Sequence, residues 1–124
     1  MTKIGGMVHV MLPDSTAVKS NANPAKFADT GIPELVRRME QVGCKRMRME
    51  AKIAGGAQMF AFQNKSELLG IGMRNVDASK AALKQLGIPL RSEDVGDNYG
   101  RTVVFYPETG AYEIKAVGRD TKII

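Results

Sequence analysis

The chain has 124 residues, 44% of them apolar and 25% charged, and a net charge of +5; this suffices for a single domain with one buried core, residues 1–124, and argues against a disordered chain. No apolar run reaches membrane-spanning length, and Gly5, Gly6 and His9 interrupt the first apolar stretch, so membrane insertion and a secretory signal are not expected and a cytoplasmic location is. One cysteine, Cys44, and one histidine, His9, exclude an internal disulfide framework and fall short of the four ligands of a structural zinc site.

In chain order, residues 4–12 read as a buried strand, with β-branched Ile4, Val8 and Val10. Pro13-Asp14-Ser15 closes it, and a polar loop runs through Asn23-Pro24. Thr30, as a cap, and Pro33, in the first turn, mark the start of a helix. Ile32, Leu35, Val36, Met39 and Val42 form its apolar face, and Gly43 stops it. From Arg46 to Ile53 the residues alternate: Met47, Met49, Ala51 and Ile53 fall on one side, Arg46, Arg48, Glu50 and Lys52 on the other. That is the pattern of a half-buried strand. It runs into Ala54-Gly55-Gly56-Ala57, where tandem glycines permit an unusual backbone path or a close approach.

A second helix is expected from a cap at Asn75, burying Val76, Leu83 and Leu86 and ending at Gly87 and Pro89. Leu90–Asp94 reads as a short strand and Gly96–Gly100 as a turn. Thr102–Tyr106 and Ala111–Val117 pair as a hairpin across Pro107-Glu108-Thr109-Gly110. The fold class expected is mixed α/β, with more strand than helix: layered, mixed β-sheets with about two helices packed on the outside.

Few residues offer chemistry. Histidine exchanges protons near neutral pH, which makes His9 the first candidate for acid–base work. Its strand pattern alone favours a half-buried histidine held for structural reasons. Cys44 follows Gly43 at a helix C-terminus, not the N-terminus that suits a reactive thiol, although Lys45 and Arg46 lie beside it; a structural role is expected. Gly55-Gly56 lacks both phosphate-loop patterns, and a tight turn is slightly favoured over a site loop. Glu93, Asp94 and Asp97 read as a solvated turn, and no metal site or other cofactor is expected. Arg37, Arg38, Lys45, Arg46 and Arg48 form a basic stretch without interleaved aromatics, so nucleic-acid binding is a minor alternative.

Four blocks resemble the CheD family, the chemoreceptor glutamine deamidases, in order and across nearly the whole chain. They are Gly5-Gly6-Met7-Val8-His9-Val10-Met11-Leu12-Pro13, then Asn23-Pro24-Ala25-Lys26-Phe27-Ala28-Asp29-Thr30, then Ala51-Lys52-Ile53-Ala54-Gly55-Gly56-Ala57-Gln58-Met59-Phe60. The fourth joins Ile71-Gly72-Met73-Arg74-Asn75-Val76 with Glu93-Asp94-Val95-Gly96-Asp97-Asn98-Tyr99-Gly100-Arg101. The resemblance implies a layered α/β fold akin to the deamidase domain of cytotoxic necrotizing factors. It implies hydrolysis of glutamines on methyl-accepting chemoreceptors to glutamates, and CheC as a further partner. His9 maps onto the family's catalytic histidine, while Gly55, Gly56, Ala57 and Arg101 map onto loops near the site.

The family's nucleophilic cysteine and orienting threonine lie upstream of the matched region, in a Gly-Ser-Cys turn, and Cys44 falls in a different block. The chain therefore reads as N-terminally truncated and, as it stands, inactive, and the missing strands should leave a sheet edge exposed. Asp97 stands where the resemblance implies a glycine. Two readings follow: a deamidase whose cysteine lies outside these residues, or a catalytically inactive module that binds receptor or CheC helices.

Overall fold

The computed structural model describes residues 4–11, 27–57, 71–97 and 99–124. The expected turn at Pro13-Asp14-Ser15 and the loop at Asn23-Pro24 lie outside these residues. So do Gln58, Met59 and Phe60 of the third block.

Among the described residues, two α-helices, α1 (Ala28–Gln41) and α2 (Ile71–Leu86), and two small sheets make up a mixed α/β fold. The first sheet is a parallel pair, β1 (Ala51–Gly55) beside β2 (Leu90–Val95). The second is antiparallel, with β3 (Thr102–Tyr106), β4 (Ala111–Lys115) and β5 (Lys122–Ile123) in that order. Among the described residues, helices of 14 and 16 residues outweigh strands of 5, 6, 5, 5 and 2. Among these residues the expected excess of strand is not seen, because residues 4–11 and 46–48 join no ladder.

Helix α1 starts two residues before Thr30, with Phe27 at its N-cap, where no side chain caps the helix. Pro33 lies in the second turn, where its missing N–H forfeits a bond to the Asp29 carbonyl. The C-terminus follows expectation. Gly43 takes φ of 102°, its N–H donates to the Glu40 carbonyl, and the Cys44 N–H donates to that of Met39. This is a Schellman closure. Val42 falls outside the last turn and is 62% exposed, whereas Ile32 and Val36 are buried.

Helix α2 closes in the same way: the Gly87 N–H reaches Lys84, and that of Ile88 reaches Leu83. Ile88 and Leu83 are both buried, the apolar contact that accompanies such caps. At its other end α2 begins four residues before Asn75, so Asn75 is an interior helical residue and not a cap.

Among the described residues, one expected strand is shortened and another joins no ladder. Residues 46–48 form a single 3-10 turn, with Met47 87% exposed, and pairing begins only at Ala51. Residues 4–11 alternate in exposure as a strand would but belong to no ladder, and among the described residues their backbone makes no backbone–backbone hydrogen bond. Strand character needs a partner as well as a pattern. The core lies between the two helices and the parallel pair, built on Ala28, Ile32, Val36, Met49, Ala82, Leu83 and Ile88, with Val8 and Val10 packed against it.

Candidate active site

The segment 4–11 reaches the body of the protein at three places. At Gly5, a β-carbon would collide with the Phe105 ring of β3; at Gly6, it would collide with Leu35 and crowd Met39 of α1. Glycine lets the chain lie this close without displacing those side chains. At the far end, Asn75 Nδ2 of α2 donates to the Met11 carbonyl oxygen at 3.2 Å. Between these anchors Val8 and Val10 turn inward, while Met7, His9 and Met11 are exposed. His9 is thus an exposed imidazole on a segment fixed on both sides, not the half-buried residue its pattern alone favoured.

Gly55 and Gly56 end β1 with φ of 109° and 69°, values open to glycine and strained for other residues. Gly56 also packs so closely on the first turns of α2 that a β-carbon would strike Val76 and the Gly72 carbonyl. Gly72 in turn faces the Gly56 and Ala57 carbonyls. The first turns of α2 therefore hold both the glycine loop, through Gly72 and Val76, and the histidine segment, through Asn75. The loop lies at the carboxyl end of the parallel pair, the end at which open α/β sheets place their sites.

Arg101 is held differently from a substrate contact. Its side chain is 2% exposed, and its Nε lies 3.3 Å from Asp94 Oδ2. Nη1 donates to the carbonyls of Gly96 at 3.1 Å, Tyr99 at 3.4 Å and Gly55 at 3.5 Å. The guanidinium carbon stands 4.3 Å from the centre of the Tyr99 ring, a cation–π contact. Since the Gly96 N–H also donates to Gly55 at 2.8 Å, Arg101 locks together the ends of β1 and β2 that shape the glycine loop. Its contacts are with the protein's own backbone and Asp94. Asp97 takes φ of 60°, the one non-glycine among the described residues in that region, which accounts for the glycine expected there.

Other candidates settle into structural roles. Cys44 follows the α1 closure and packs against the core. The basic stretch is partly neutralised, with Arg37 and Arg38 on Glu34 and Arg46 on Glu40. The acidic run is likewise paired: Glu93 with Lys80, and Asp94 with both Arg101 and Lys122. Two of the hollows among the described residues are well defined by their linings. One, of about 230 Å³, is lined by Asp94, Tyr99, Arg119 and Lys122; the other, of about 520 Å³, lies along α1 and α2 by Asp29, Arg74 and Asp77. Neither is lined by His9 or the glycine loop.

Sequence reasoning missed Asn75 and Gly72. The signal available was an asparagine and a glycine inside a helix, both poor formers there, which suggests that contact and not propensity selects them.

The family model described as "CheD chemotactic sensory transduction" matches residues 11–116, beginning two residues after His9. A relative from Lachnoclostridium phytofermentans, named "Probable chemoreceptor glutamine deamidase CheD", is 57% identical over 122 residues, covering 98% of this chain and 76% of its own length. Relatives of the same name from Caldanaerobacter subterraneus subsp. tengcongensis and Clostridium botulinum are 48% and 52% identical, over 100% and 98% of this chain and 76% and 75% of theirs. No described helix is long and apolar enough to cross a membrane.

Proposed function

The chain belongs to the CheD family, and on that premise we propose that it hydrolyses glutamine carboxamides on methyl-accepting chemoreceptors to glutamates, in the cytoplasm. The near-full-length identity to relatives named for this activity carries the reading. The exposure of His9 supports it, because a glutamine on a folded receptor helix reaches only a group that stands out from the enzyme.

In this reading a cysteine thiolate attacks the carboxamide carbon and forms a tetrahedral oxyanion. Collapse expels ammonia, with the His9 imidazolium supplying the proton to the departing nitrogen. The resulting thioester is cleaved by water, whose proton His9 takes up, and glutamate leaves as the thiol is restored. In this reading Cys44, whose backbone N–H closes α1 and whose partly buried side chain packs on the core, keeps a structural role, and the nucleophile is a cysteine that these 124 residues do not include. Gly55, Gly56 and Ala57 serve as a site loop in this reading, and Arg101 holds that loop through the Gly55 carbonyl. CheC is the proposed second partner.

The test compares the 124-residue chain with the longest chain its reading frame encodes, each with and without His9→Ala. Receptor is the substrate, and the readouts are ammonia release and the receptor's mass shift. The 124-residue chain should be inactive. The longer chain should carry a Gly-Ser-Cys segment and lose at least about a hundredfold in kcat with His9→Ala, the usual range for an acid–base group. Turnover by the 124-residue chain, or turnover indifferent to His9, overturns the mechanism. A reading frame without an upstream cysteine, with receptor binding that survives His9→Ala, supports the non-catalytic module instead.

A further inference from the structure

We propose that Asn75 is a positioning residue for His9, acting through the Met11 carbonyl; this rests on the reading of His9 as the acid–base group. Asn75 is the fifth residue of α2, an interior position where asparagine is a poor choice because its amide competes with the backbone. Its Nδ2 donates to Met11 at 3.2 Å, across 64 positions of sequence. Its Oδ1 is buried and without a hydrogen-bond partner. An unmet buried acceptor is unfavourable, and a leucine would fill the same space without one. The donor end is therefore what the position requires.

The place of the bond gives it a function. Among the described residues it is the only hydrogen bond made by segment 4–11. Gly5 and Gly6 seat the segment upstream of His9 by close packing alone; downstream, Met11 is held by the Asn75 amide. Gly72 and Val76, flanking Asn75 on the same turns of α2, hold Gly56. One stretch of helix thus sets the separation between the histidine segment and the glycine loop. Small errors in such a separation are expensive in catalysis.

The chain has one histidine, so its imidazole Cε1–H gives a single magnetic-resonance signal. In the 124-residue chain, Asn75→Leu and Asn75→Asp, neither able to donate, should shift or broaden that signal. Backbone order parameters at Val8 and Val10 should fall from about 0.85 toward about 0.6. Asn75→Gln, which keeps a donor, should restore part of both. Leu83→Ala, a core truncation lower on α2, should lower Tm and leave both unmoved. In the longest encoded chain, Asn75→Leu should lower kcat about tenfold or more at unchanged KM. An unmoved His9 signal in both non-donor variants overturns the clamp, as does an equal response to Leu83→Ala. Undiminished turnover in His9→Ala overturns the acid–base reading instead, whatever the resonance data show.

Discussion

Arg101 shows how a buried charge can tie two strand ends together. A guanidinium 2% exposed is tolerable only where carboxylate and carbonyl oxygens replace its water. Asp94 and three carbonyls do so, and Nη2, which makes no hydrogen bond, stands 4.0 Å from Asp97. Replacement by methionine keeps the bulk and removes the charge. Arg101→Met should destabilise the fold by about 3 kcal/mol, the low end for a broken buried pair, since Lys122 still reaches Asp94. Urea unfolding measures this, and a loss below about 1 kcal/mol would mean that the pair is not the lock described. His9 carries the opposite lesson. Its alternation with Val8 and Val10 was legible in the residues, but which face stays wet was not, because nothing local states what packs on either side.

At the scale of elements, the helices were read well and their starts poorly. Both C-termini rest on glycine, whose left-handed backbone is a local property. Both N-termini were placed too late: Thr30 and Asn75 are good caps in isolation, yet each lies inside its helix, where tertiary contacts outweigh a capping preference. On α1, the Arg37 guanidinium, and Arg38 after it, hydrogen-bond to Glu34 and lower its pKa from 4.5 to about 2. A depressed carboxylate pKa contributes stability that is present above the unfolded value and is lost as pH falls through the folded one. Wild type and Glu34→Gln should therefore differ in Tm at pH 7 and converge by about pH 2, and salt should narrow the gap because the cluster lies at the surface. A gap unchanged between pH 7 and pH 2 would count against this ion pair.

Across the whole molecule, the two sheets are joined by one side chain in particular. Lys52 of β1 donates to the Gly110 carbonyl at 2.6 Å and the Ile124 carbonyl at 2.8 Å, tying the parallel pair to the antiparallel sheet. Lys52→Met should lower stability by about 1–2 kcal/mol, the range for a carbonyl left without a donor, because Gly110 loses Lys52 while the Ile124 oxygen keeps the Tyr112 N–H. It should also speed hydrogen exchange at Ile124, whose N–H pairs with Tyr112, more than in α1. Equal acceleration in both places would point to global loosening instead. The sequence by itself determined the C-terminal ends of the helices, the β3–β4 hairpin and the glycine turns, because these follow from periodicity and from backbone angles that few residues reach. It also carried the family, through the ordered blocks of residues that hold the loops. Only the tertiary structure decided that the segment bearing His9 pairs with no strand, that Arg101 faces inward, and that Asn75 meets Met11. Those outcomes depend on contacts between residues far apart in the chain, and hydrogen bonding over such distances leaves no period in the sequence to read.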